Sequence, residues 1–181
     1  MKPNSERYVP GLIPDNPAAL IQFLQDELPR ISAAMNRFPN GVGVDANYPA
    51  VPVTTVPTEY RLFEGALSNY DLPGGGWDPT TGEWTCAASG LYQINLNAVV
   101  SPFGLGNKDY GATLRLYIND VEQWTSPAVG DDAYQLTCSI SVSGRLVRES
   151  VIRATITIAH DSFTGNCPVD ANMSISSTAL E

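Results

Sequence analysis

The chain has 181 residues, 43% of them apolar, which suffices for one packed domain plus an extension and excludes wholesale disorder. Charged residues make up only 16% and the formal net charge is −9, with five basic against six acidic residues over 1–62 and five against thirteen over 63–181; so acidic a C-terminal part repels phosphate backbones and excludes a nucleic-acid partner. No run approaches the ~18 apolar residues of a membrane span, and the first residues lead into no apolar signal core, so membrane insertion and secretion by a leader are not expected.

Residues 1–16 are polar and carry Pro and Gly, as an extended arm does. Asn16-Pro17 then starts a helix, with Asn as N-cap and Pro at the first helical position. Apolar residues follow at Ile21, Leu24, Leu28, Ile31 and Met35 in steps of three and four, and Leu20 widens the stripe. Pro29 removes one hydrogen bond from this helix and kinks or divides it. Residues 38–57 hold three Gly/Pro clusters and read as a linker. A helix held away from its domain needs another surface for its stripe, so residues 1–37 read as an arm plus an anchoring helix that docks on a partner or bundles with its own copies.

From residue 58 to 181 the pattern is β. Tyr92, Ile94, Leu96, Ala98 and Val100 alternate with Gln93, Asn95, Asn97 and Val99. Ala112 to Ile118 alternates likewise and ends at an Asn119-Asp120 turn. Tyr134 to Val142 follows, then a Ser143-Gly144 turn, then Ile152 to Ile158, and a last strand over Met173–Leu180. Period-two alternation with one apolar face predicts antiparallel sheets stacked face to face, a sandwich or jelly roll. Asn, Gln, Ser and Thr side chains make up the outward face of these strands.

Thr81-Gly82-Glu83-Trp84-Thr85, then Ser89-Gly90-Leu91-Tyr92 opening a central strand, with a final strand at the very end of the chain, resembles the tumour necrosis factor/complement globular-head jelly roll. Glu149-Ser150 stands where that family usually has Gly-Asp. The resemblance covers roughly 60–181 and implies a homotrimer. The segment Ile13 to Ile31 resembles the leading segments of bacteriophage virion proteins. Together they imply a mainly β structural virion protein, a head fibre or decoration protein assembled in the host cytoplasm, anchored to capsid or tail proteins by Leu20, Ile21, Leu24, Leu28, Ile31 and Met35. The alternative is a receptor- or carbohydrate-binding module of a tail fibre that meets a host-surface glycan.

No residue pattern points to catalysis, a metal or a cofactor. His160 is the only histidine and no Gly-x-Ser-x-Gly elbow accompanies it. Gly74-Gly75-Gly76 runs into Trp77, so it is a turn and no phosphate loop. Cys86, Cys138 and Cys167 are far apart and form no CxxC pair. The aromatic residues serve as core or subunit-interface anchors, or as a sugar-stacking face. Arg115, Tyr117 and Trp84 are the candidate trimer interface; Tyr110, Asp131 and Asp132 are the candidate ligand-loop residues.

Overall fold

A computed structural model describes residues 20–21, 23–28, 41–71, 76–101, 110–130, 135–161 and 164–180. The chain divides into two compact units, Met1–Phe38 and Pro39–Glu181. In the first, Leu20, Ile21 and Phe23 to Leu28 are helical, with Ile21, Leu24 and Leu28 exposed. The expected helix is not supported as a whole, because the rest of its span, including Ile31 and Met35, lies outside the described residues.

The second unit is β throughout. Its described strands are β1 (Gly41–Thr54), β2 (Tyr60–Arg61), β3 (Ser68–Asp71), β4 (Gly76–Asp78), β5 (Glu83–Thr85), β6 (Gly90–Val100), β7 (Tyr110–Ile118), β8 (Val121–Gly130), β9 (Leu136–Leu146), β10 (Val151–His160) and β11 (Gly165–Leu180). One layer runs β3-β1-β11-β6-β9. The other centres on β10, flanked by β5 and β2 on one side and by β7 then β8 on the other. A two-residue parallel bridge, Val53 and Thr54 of β1 to Ile158 and Ala159 of β10, joins the layers into one hydrogen-bonded network. The long pairings of β1, β6, β7, β9, β10 and β11 are otherwise antiparallel, as alternation predicts.

The alternating apolar residues meet in a single core between the layers. Ile94, Leu96, Ile140, Met173 and Ile175 enter from the first layer, and Leu114, Leu116, Ile152, Ile156 and Ile158 from the second. Burial at each such position stabilises the sandwich by ~2 kcal/mol. Trp84 and Tyr92, from the segment that carries the family resemblance, cross edge to face with centroids 5.8 Å apart.

Two boundaries differ from the sequence reading. The segment 38–57 is no linker: β1 fills most of it and pairs with β11 from Gly41↔Ser176 to Val53↔Gly165. Its Gly and Pro residues have local duties. A Cβ at Gly41 would strike the Ile175 carbonyl oxygen, and one at Gly43 would strike the Tyr70 ring, so both glycines permit close approach. Pro49 lies within the register shift between Tyr48 and Val51 and Pro52 just beyond it, where a bulge tolerates proline. Ser143-Gly144 is no turn either: β9 runs through to Leu146, and the chain reverses at Val147–Ser150, with Glu149 at φ 69°. Asn119-Asp120 does turn the chain, with φ of 52° and 62°, the left-handed pair of a two-residue hairpin.

Replacing Trp84, fully buried, by Ala is expected to cost about 3–5 kcal/mol of unfolding free energy. Val56→Ala, exposed in the segment before β2, is expected to cost under ~0.5 kcal/mol. Chemical denaturation of the two variants against wild type checks this.

Candidate functional site

The first layer turns its other face outward, and pairing registers define that face row by row. Gly41, Ser176, Gln93 and Ser143 share one row; Gly43, Ser174, Asn95 and Ser141 the next. Asp45, Asn172, Asn97 and Ser139 follow, then Asn47, Asp170, Val99 and Thr137. The outward side chains in these rows are amides, hydroxyls and two carboxylates, apart from Val99. No Lys or Arg stands in them; Arg145 comes one row beyond, opposite Leu91.

These groups hydrogen-bond across the strands. Ser139 Oγ donates to Asn97 Oδ1 at 2.7 Å and Ser141 Oγ to Asn95 Oδ1 at 2.8 Å. Gln93 Nε2 donates to Ser141 Oγ at 3.1 Å and to Asn95 Oδ1 at 3.2 Å, while Ser143 donates to Gln93 Oε1. Asn95 Nδ2 reaches Ser174 Oγ at 3.3 Å. On the β1 side Asn69 Nδ2 donates to Asp45 Oδ2 at 2.6 Å, and Asn47 donates to Asp170. An open groove of about 420 Å³ lies here, lined by Asp45, Asn47, Asn97, Val99, Asp170 and Asn172 among others.

The outer face of the second layer is built differently. Arg153 lies over the Tyr117 ring at 4.0 Å and pairs with Asp120 at 3.1 Å. Tyr117 Oη donates to Glu59 at 2.6 Å. Arg115 Nη1 donates to Thr157 Oγ1 at 2.7 Å, and the same guanidinium faces Glu122 at 3.3 Å and Glu59 at 3.7 Å. Burial, then the Glu59 carboxylate, push the Tyr117 phenol up, so it stays a donor. This network ties the segment before β2 to β7, β8 and β10. Two of the candidate interface residues, Arg115 and Tyr117, therefore share one cluster whose partners lie within their own chain.

The structure removes two other candidates from the surface. Trp84 is fully buried in the core and presents nothing to a neighbouring subunit. Tyr110 opens β7 and is 4% exposed, opposite His160, so it is a core residue and no loop contact. Asp131 and Asp132 lie outside the described residues. His160 is itself buried at the end of β10. Among the described residues no group of three His, Cys, Asp or Glu side chains is placed to hold a metal ion, and no helix is long and apolar enough to cross a membrane.

Sequence reasoning recorded the amides and hydroxyls of β6 and β9 but missed Asp45 and Asn47, which fell in the supposed linker. The alternation of Val42 and Val44 with Gly43 and Asp45 was the signal that could have found them.

Comparison with known proteins yields structural likeness alone: no family model and no curated protein matches the chain. The globular domain of zebrafish complement 1qA protein superposes with a TM-score of 0.53 at 14% identity, covering 80% of this chain and 100% of that one. The PRD1 vertex protein P5 gives 0.49 at 14% identity, covering 76% and 97%. The Eiger TNF from S. frugiperda gives 0.48 at 10% identity, covering 80% and 96%. The first of these establishes the complement-head type of β fold for this chain.

The three cysteines are free and buried. Burial pushes the Cys167 thiol up to about 11 and raises that of Cys138, which leaves little thiolate near neutral pH. A thiol-specific reagent at pH 8 is therefore expected to leave Cys138 and Cys167 unmodified in the native protein and to label both after denaturation. Mass spectrometry of the two samples reads the result.

Proposed function

We propose that this chain is a structural virion protein, a homotrimeric β-head carried on a phage particle as a head fibre or decoration protein, with residues 1–37 as its attachment. The observation that carries the reading is the outer face of β1, β11, β6 and β9. It is wide, nearly free of charge and bonded into a flat ladder on a head whose net charge is strongly negative. Such a face lets like-charged copies approach, because the acids that would repel one another stand mostly elsewhere. Fold likeness to a complement globular head supports the same reading, as does the resemblance of Ile13 to Ile31 to phage anchoring segments. The exposed stripe of Ile21, Leu24 and Leu28 gives the attachment an apolar surface to offer a capsid or tail protein. No catalytic step belongs to this role, and neither cofactor nor metal does.

A second reading, recognition of a host-surface glycan, draws on the groove beside Asp45 and Asp170, whose amides and carboxylates suit hydroxyl groups. The two readings compete for one face, so the assembly state separates them.

Light scattering of the full chain at micromolar concentration is expected to return the mass of three chains. A single-chain mass together with glycan-array binding would transfer support to the second reading. Deletion of residues 1–37 is expected to abolish incorporation into particles, measured by immunoblot of purified virions, while the remaining head keeps its mass of three chains.

A further inference from the structure

Donors and acceptors on the outer face of the first layer are unevenly shared. Gln93 uses both of its amide hydrogens and its oxygen within the ladder. Asn95 accepts from Ser141 and Gln93 and spends one hydrogen on Ser174. Asn97 accepts from Ser139, and among the described residues its Nδ2 group donates to none. Three amide hydrogens of β6 thus point outward unused, given two per amide. The spare acceptors lie on other strands. Asp45 and Asp170 each take one side-chain amide hydrogen, from Asn69 and Asn47, where an ionised carboxylate accepts about four.

Among the described residues these donors and acceptors do not meet: Asn97 makes no bond to Asp170, its diagonal neighbour on β11, nor to Asp45, two strand spacings or roughly 10 Å away in the same row. A neighbouring copy related by a three-fold axis, which sets the β1 side of its face against the β6 side of the first, brings spare acceptors to spare donors in a heterologous contact. The apolar side chains on this face are Leu91, 49% exposed, and the half-buried Val99 at the two ends of the β6 column, with the Tyr70 ring over Gly43 at the β1 edge. They add adhesion without direction, whereas the central amides are directional and are penalised when left unpaired.

Resting on the homotrimer reading, we infer that Asn95 and Asn97 fix the register and stoichiometry of self-association. Only an arrangement that brings the unused amide hydrogens onto carboxylate or amide oxygens of a neighbouring copy leaves no buried donor without a partner. Slipped or higher assemblies bury the same apolar ends but strand the amides, and are disfavoured for that reason. A single polar side chain inside an otherwise permissive interface selects one oligomer in the same way in coiled coils, at some loss of affinity.

Two full-chain variants test the assignment, with far-ultraviolet circular dichroism to show that the sheet persists. Asn95→Val with Asn97→Val removes the directional groups. It is expected to associate at least about tenfold more tightly and in more than one stoichiometry, read by sedimentation velocity across a concentration series. Asn97→Asp removes the donor and sets a third carboxylate beside Asp45 and Asp170, and is expected to weaken association by about tenfold or more. If wild type is a trimer and both variants remain a single three-chain species with unchanged dissociation, the role of the amides is overturned while the trimer stands. A single-chain mass for wild type overturns the trimer itself, and this assignment with it.

Discussion

Strand β11 is paired along almost its whole length on both edges, with β1 on one side and β6 on the other. This double pairing sets the geometry of everything else in the head. Because side chains alternate along each strand, fixing the register of β11 against its neighbours fixes which residues of three strands face inward. Val42, Val44, Met173, Ile175, Ile94 and Leu96 go to the core together. A slip of one residue at either edge would turn an apolar column to water and bury Asn and Ser without partners. The glycines of β1 enter at this point: Gly41 lies against the Ile175 carbonyl and Gly43 beneath Tyr70, so the pairing is closest where side chains are absent.

The two outer faces then diverge for a physical reason. On the second layer, long charged side chains close over the sheet, with Arg115 and Arg153 neutralised by Glu59, Glu122 and Asp120. Exposed pairs of this type are individually worth under about 1 kcal/mol, but Tyr117 beneath Arg153 and the bond to Glu59 join them into one lattice. That face is complete within a single chain. On the first layer the side chains are short, lie flat and bond sideways, so backbone and ladder remain open to a second surface.

Legibility in the sequence follows this division. The long strands β6, β7 and β10 were readable because each alternates without interruption, and Asn119-Asp120 because two residues with positive φ demand that chemistry. Strand β1 was not readable in the same way. Gly41, Gly43, Pro49 and Pro52 are usual punctuation for a loop, and their value here depends on Ile175, Tyr70 and a bulge more than a hundred residues away or across a turn. Ser143-Gly144 misled for a similar reason: among the described residues β9 is paired only with β6, and an edge strand tolerates a glycine that a local rule reads as a turn. The outward polar set on β6 and β9 could be read from alternation alone. Trp84 and Tyr110 could not be assigned to core or surface that way, since an aromatic in a three-residue strand or at the first position of a longer one suits either place.

The acids of the head are unevenly placed over its two outer faces. The part of the chain that forms the head is strongly acidic, yet only Asp45 and Asp170 stand on the flat rows of the first layer. On the second layer Glu59, Glu122 and Asp120 already have Arg115 and Arg153 as partners within the chain. On the first layer the two carboxylates have no cation in their rows, so copies that meet there gain where each carboxylate reaches an amide hydrogen of its neighbour. Hydrogen-bonding capacity, and not net charge, therefore favours the first layer. Where the two carboxylates lie then decides how a second copy must be oriented.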